Sequence, residues 1–234
     1  MKQRHTFEKS IIRDGTLELQ NVNFSQVIWT AVLLAAAIAG FSGCASTRPA
    51  KYYQLGIPNS AAFAPSNDSG VTLTVANLST SNLYQQDGIV YTAVGGPMGI
   101  YEHDRWTESP ADMMQQALMR SLRASGHYRG VYTLRNNSTA DFVLQGRIHD
   151  FREVDLTKNS ILARVSFDLE LRDRQNGNTV WTHHYNHDEP VEGRDLNAVV
   201  AAFDKNVQEG IGGATAALEQ YIAAHPMQAK LEQK

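Results

Sequence analysis

A single cysteine in 234 residues excludes an intrachain disulfide, a cysteine-rich zinc site and a CxxC redox pair together. An excess of charge of one sign is missing as well. Lys and Arg number 21 against 24 Asp and Glu, a formal net charge of −3, which gives no electrostatic reason to expect nucleic acid as a partner. No basic and aromatic cluster suited to a nucleic acid occurs either. No apolar run reaches the roughly 20 residues of a spanning helix. There is no GxSxG elbow, and the glycine-rich stretch Gly95 to Gly99 lacks the Lys-Ser/Thr ending of a phosphate-binding loop. What remains is ordinary for a folded chain: 42% hydrophobic and 19% charged residues, too apolar for a wholly disordered one. One domain with tails is the expected organisation.

An apolar run without a charge, the 15 residues from Val27 to Phe41, leads into Ser42-Gly43-Cys44-Ala45. Such a run is short for a bilayer span and suits the core of a secretory signal. Small residues directly before a lone cysteine resemble the bacterial lipobox, in which the Cys sulfur receives diacylglycerol, the signal is cut before it, and the new amine is acylated. Cys44 is therefore the candidate lipidation site. Residues 1–43 are expected to be a signal peptide and 44–51 a lipidated tether. Phe41 stands where Leu is usual in a lipobox, and the segment ahead of the apolar run is long, with acids at Asp14 and Glu18. Translation is expected to begin downstream of Met1, at a non-Met codon. The competing reading is an uncleaved signal anchor with a buried structural Cys44. Near-neutral charge would not hold the domain to anionic lipid, so attachment would rest on acyl chains, each buried CH₂ contributing about 0.8 kcal/mol.

Residues 52–225 read as one α+β domain, with a mostly antiparallel or mixed sheet and two main helices on one face; 226–234 is expected to be a mobile tail. Tyr52 to Leu55 opens a first strand, and the Pro-, Ser- and Asn-rich stretch from Gly56 to Gly70 reads as surface loop. Val71, Leu73 and Val75 alternate with Thr72, Thr74 and Ala76, predicting a half-buried strand. Asp87-Gly88 turns the chain into Ile89-Val90-Tyr91, its expected hairpin partner. Ser109-Pro110-Ala111-Asp112 is a helix start, with a capping hydroxyl, Pro at the first helical position and an early acid. Ala111, Met114, Leu118 and Leu122 then form one apolar face, and Gly126 supplies the stop. Strands are predicted at Val131–Leu134, at Asp141–Phe151 and at Ala163–Arg172, the last with the cleanest alternation in the chain. Asn176-Gly177 is a favoured hairpin turn into Thr179–Thr182. From Asp195 a long helix steps through Leu196, Val199, Phe203, Val207, Ile211, Ala214, Leu218 and Ile222. Gly210, Gly212 and Gly213 within it either kink the helix or permit close packing.

The run His183-His184-Tyr185-Asn186-His187-Asp188-Glu189 invites a metal reading. On a strand, however, His183 and His184 point to opposite faces, while His183 and His187 lie about 13 Å apart. Neither spacing supports shared coordination at about 2 Å. No metal, no cofactor and no catalytic residue is expected.

Tyr52-Tyr53-Gln54-Leu55 after the lipobox, Ile89-Val90-Tyr91, and Tyr101 to Pro110 with its helix resemble the auxiliary lipoproteins of ABC transport systems, a group that includes the paraquat-inducible PqiC lipoproteins. The likeness continues through Ala140 to Leu144, the Asn176-Gly177 turn and Ala201-Ala202-Phe203. It implies a non-enzymatic outer-membrane lipoprotein, facing the periplasm. Such a protein works with MCE-domain proteins, which form lipid tunnels across the periplasm, and supports envelope integrity. Arg105-Trp106 is the best-matching dipeptide. It reads either as a Trp packed under the helix with Arg105 paired to Glu108 or Glu102, or as a contact with the MCE partner. The alternative function is a lipoprotein adaptor in another envelope assembly or in lipopolysaccharide export.

Overall fold

The alternation of Ala163, Val165, Phe167, Leu169 and Leu171 with polar residues builds β7 (Ser160–Asp173), and all five apolar side chains are buried. The computed structural model describes residues 48–56, 69–134, 139–157 and 159–226, with Ser25, Ile28 and Trp29 of the leading segment. Its contacts divide the chain into Met1–Thr47 and Arg48–Lys234; the second unit is the domain described below. Cys44, the rest of the segment ahead of it and the residues beyond Pro226 lie outside the described residues, as do 57–68 of the expected loop.

β7 is flanked antiparallel by β6 (Phe142–Thr157) and β8 (Thr179–Pro190). The turn between β7 and β8 uses Gly177 at φ +74°, a left-handed conformation that glycine adopts without the Cβ penalty. β8 continues well beyond the predicted Thr179–Thr182, carrying the His-rich run into the sheet. The free edge of β6 is shared by two parallel neighbours. β2 (Thr72–Val75) pairs with its first part and β3 (Gly88–Thr92) with its last. Outside β2 lies β5 (Gly130–Thr133), parallel. Outside β3 lies β4 (Met98–Trp106), antiparallel, and then β1 (Lys51–Tyr53), parallel to β4. The result is one eight-stranded mixed sheet, which with two helices is the α+β class expected.

Two local expectations are corrected. β3 is not the hairpin partner of β2, because β5 and β6 already occupy both edges of β2. Nor is β2 half exposed: Thr74 is as buried as Leu73 and Val75. Both ladders of β2 are parallel, and strands of that kind are ordinarily covered on both faces.

The first helix, α1 (Pro110–Ala124), begins as its sequence requires. The Ser109 hydroxyl accepts the Asp112 N–H at 3.2 Å, Pro110 opens the helix, and Gly126 at φ +67° follows its end. Met114, Leu118 and Leu122 are fully buried. The second, α2 (Leu196–Ala224), is capped by the Asp195 carboxylate, which accepts the Ala198 N–H at 2.9 Å. It packs on β7 and β8, and α1 lies beside it, with the Ser121 and Thr215 hydroxyls 2.9 Å apart.

A fully buried polar residue fixes α2 to the sheet. Asn206 Nδ2 donates to the carbonyls of Ala163 (2.8 Å) and His187 (3.0 Å), and its Oδ1 accepts from the Tyr185 hydroxyl at 2.8 Å. Satisfied in this way, the amide avoids the penalty of a buried orphan group and specifies the docking register. A Cβ on Gly210 would come within 2.7 Å of the Tyr185 ring, so this glycine permits the same close approach; Gly212 and Gly213 face open space. Beneath α2, Phe203 stacks on Phe151 of β6 at 4.6 Å, and Trp106 of β4 meets both edge-on at 5.6 and 5.7 Å.

Candidate functional site

The Arg105-Trp106 pair is built by an irregularity in β4. Arg105 stands opposite Gly88 and Ile100 opposite Val90, so β4 holds extra residues between these pairs, and an odd insertion re-aims the side chains that follow. Trp106 turns into the core, where it is 1% exposed; its backbone N–H donates to the Asp87 carbonyl at 2.7 Å. It is therefore not presented to a partner. Arg105 stays partly exposed and pairs with Asp87 at 2.9 Å, not with Glu102 or Glu108 as expected, because the β3–β4 ladder brings the turn before Gly88 beside it. Other resemblance motifs also have structural work. Asp141 Oδ2 accepts both the Thr72 N–H (2.8 Å) and the Thr72 hydroxyl (2.5 Å), joining the starts of β2 and β6.

Strand alternation places His183 and His184 on opposite faces. His183 stacks on Trp181 at 5.7 Å and 8°; burial, helped by the neighbouring His184, lowers its pKa. On the other face, His184 and His149 each bond one oxygen of Asp168. Burial pushes the Asp168 carboxyl up, but the two imidazoles outweigh it and hold the group below the usual carboxylate range. Neither imidazole is hydrogen-bonded to a hydroxyl or thiol among the described residues, so this grouping lacks the nucleophile–base pair of acyl transfer.

His187 comes together with Glu189 and with Glu209 of α2, their ligand atoms all within 4.8 Å of one another. No spacing along the His run could reveal this, since Glu209 arrives from another element. The chemistry of the set fits a cation poorly. The Lys205 ammonium already bonds Glu189 and, as the leading cause, holds that carboxyl below its ordinary value. A metal would have to displace it.

Concavities among the described residues include the following pair. A cleft of about 300 Å³ between α1 and α2 has apolar walls from Leu55, Ala117, Val207 and Ile211, with Arg120 and Gln208 among its polar lining. Here Gly56 N donates to Asp204 Oδ1 at 2.6 Å, and Gln208 Nε2 donates to the Gly56 carbonyl at 3.3 Å. Burial raises the Asp204 carboxyl, an effect the Gly56 N–H partly offsets. Such a cleft can receive an apolar group with its polar end at the mouth. The second, about 360 Å³, is polar and lies between Ser79, Arg147, Asp168 and Glu170.

Two auxiliary features bear on attachment and kinship. Among the described residues no helix is long and apolar enough to cross a membrane. Residues 53–210 match the sequence model of the family described as ABC-type transport auxiliary lipoprotein component, and the chain belongs to that family. Among solved structures, a Xanthomonas campestris protein of the DUF330 family is similar at a TM-score of 0.64 and 18% identity, over 74% of this chain and 98% of its own. An uncharacterized protein is similar at 0.54 and 15%, over 75% and 99%. At such identities the likeness shows a shared fold. No curated protein matches the sequence.

Proposed function

We propose that this protein is a non-enzymatic, lipid-anchored component of an ABC-type system that moves lipid between membranes. It is held on the periplasmic face of the outer membrane by diacylglycerol and an N-acyl chain, such as palmitate, on Cys44, and it works with an MCE-domain partner. The observation that carries this reading is the family match over residues 53–210, which spans nearly all of the domain. The lipobox-like sequence at Cys44 supports the anchor. Ala45 supports the outer membrane, since it is not the Asp that marks inner-membrane retention in the familiar sorting pathway. Arg105 is the exposed member of the best-matching dipeptide and the first residue to test for partner contact.

Labelling with an alkyne fatty acid, combined with Cys44→Ser, tests the anchor. The native chain takes label and fractionates with outer membrane; the variant takes none and is released. Unlabelled native protein at full expression overturns the lipoprotein reading. Recovery of an MCE-domain protein from crosslinked membranes tests the partner, and recovery of a lipopolysaccharide-export component in its place would favour the adaptor alternative.

A further inference from the structure

The chain enters the domain at the end of the sheet where exposed apolar side chains collect. β1 runs parallel to β4 with Lys51 opposite Asp104, so the residues ahead of Lys51 lead back toward Met98, the start of β4. β3 and β6 arrive at this same end. Thr92, the last residue of β3, is paired with Met98 on one side and Val154 on the other. Val94 follows Thr92 by two residues, Leu156 follows Val154 by two, and Ile100 shares a face of β4 with Met98. These four are 53, 51, 44 and 50% exposed for Val94, Leu156, Ile100 and Met98. Single exposed apolar residues are normal on a surface, but four gathered at one end of a sheet require an occupant.

The tether identifies that occupant. Seven residues, Ala45 to Lys51, reach about 23 Å when extended, and the stretch of β4 from Asp104 back to Met98 is about 20 Å at most. A lipid on Cys44 can therefore lie level with the apolar end and cannot lie far beyond it. The cation nearest to Met98 is engaged within the fold: Arg152, whose guanidinium contacts the Met98 sulfur at 2.9 Å, also pairs with Asp150 at 3.0 Å.

Resting on the reading that Cys44 is acylated, we infer that Val94, Met98, Ile100 and Leu156 form a membrane-contact edge. They insert at the boundary of headgroups and acyl chains in the leaflet that holds the anchor. The β6–β7–β8 meander then rises from the bilayer, with the Asn176-Gly177 turn at its far end. The 14 residues of β7 set that turn about 45 Å from the membrane-side end. The anchor alone would allow the domain to tumble on its tether; the apolar edge fixes its orientation for a partner.

The test uses the full-length lipidated protein in vesicles of phosphatidylcholine alone, since no anionic lipid is required. With Cys44 acylated, Met98→Cys, Leu156→Cys and Asn176→Cys each carry one free thiol for a polarity-sensitive fluorophore. At positions 98 and 156 the emission shifts to the blue and is lost when the lipid carries bromine on its acyl chains; at 176 neither change occurs. Equal responses at 98 and 176 overturn the inference. So does a label at 98 shielded from aqueous iodide but untouched by lipid bromine, which would mean that protein covers this edge. Intact mass separates the two readings: an unacylated Cys44 defeats both, whereas an acylated protein with a label in water at 98 defeats only the membrane-contact edge.

Discussion

At the scale of single residues, Trp106 separates resemblance from role. Its dipeptide carries the family resemblance, yet its indole packs edge-on against the stacked rings of Phe151 and Phe203, 1% exposed, where it ties β4 to β6 and α2. Trp106→Ala is predicted to cost about 3–5 kcal/mol, read as a lower urea midpoint with unchanged slope, and to reduce abundance. A variant of native stability would show that the core arrangement around this ring is wrong. Arg105 is the contrasting case. Its pair with Asp87 is partly exposed, and such pairs contribute about 0–1 kcal/mol, so Arg105→Ala is predicted to melt almost as the native chain does. If Arg105 meets the partner, recovery of that partner falls in this variant without loss of fold; undiminished recovery removes it from the interface.

At the scale of elements, α2 shows what three glycines in one helix are for. Gly210→Ala drives a methyl into the Tyr185 ring at 2.7 Å, and that ring cannot step aside while its hydroxyl bonds Asn206 and its face lies against Phe167 at 5.2 Å. Gly213→Ala meets nothing within 4 Å and should stabilise by about 0.5–1 kcal/mol through helix propensity. Thermal melts of the two variants should therefore move in opposite directions, and movement in the same direction would contradict the packing of α2 on β8. Much of this architecture was readable in the residues: the capped α1, the alternation of β7, the Asn176-Gly177 turn and the stepping of α2 are local signals. Pairings between distant strands were not. β4 lacks a clean period because its ladder is irregular between Ile100 and Arg105, and β3 found β6 and β4 where proximity along the chain suggested β2. The same limit hid the Glu189–Lys205 pair and the Asp168 cluster, whose members come from two or three elements.

At the scale of the whole molecule, a balanced net charge leaves stability against pH to a few groups in particular places. Asp188, held low chiefly by its bonds to Arg164, and Glu189, held low chiefly by Lys205, stabilise the fold above the ordinary carboxylate range and lose that contribution as pH falls. Glu153 acts in the opposite sense. It is 3% exposed, and burial, reinforced by Asp155 and partly offset by the Tyr101 hydroxyl at 3.0 Å, raises its carboxyl from 4.5 to about 7. The folded protein thus binds a proton here more tightly than the unfolded chain does. That contribution is complete below pH 4.5 and is lost as pH rises through about 7. At about 1.4 kcal/mol per pKa unit, the rise from 4.5 to about 7 makes the loss about 3.5 kcal/mol. Glu153→Gln keeps an acceptor for Tyr101 and cannot ionise. Comparing the two proteins cancels every other titrating group, so urea midpoints of native and variant should coincide near pH 4 and separate steadily up to about pH 7. Above that they should run parallel, with the Gln variant the more stable by up to about 3.5 kcal/mol. Curves that stay parallel from pH 4 to 8 would show that Glu153 ionises freely, and that the β3–β6 junction is open to water where the structure has it closed.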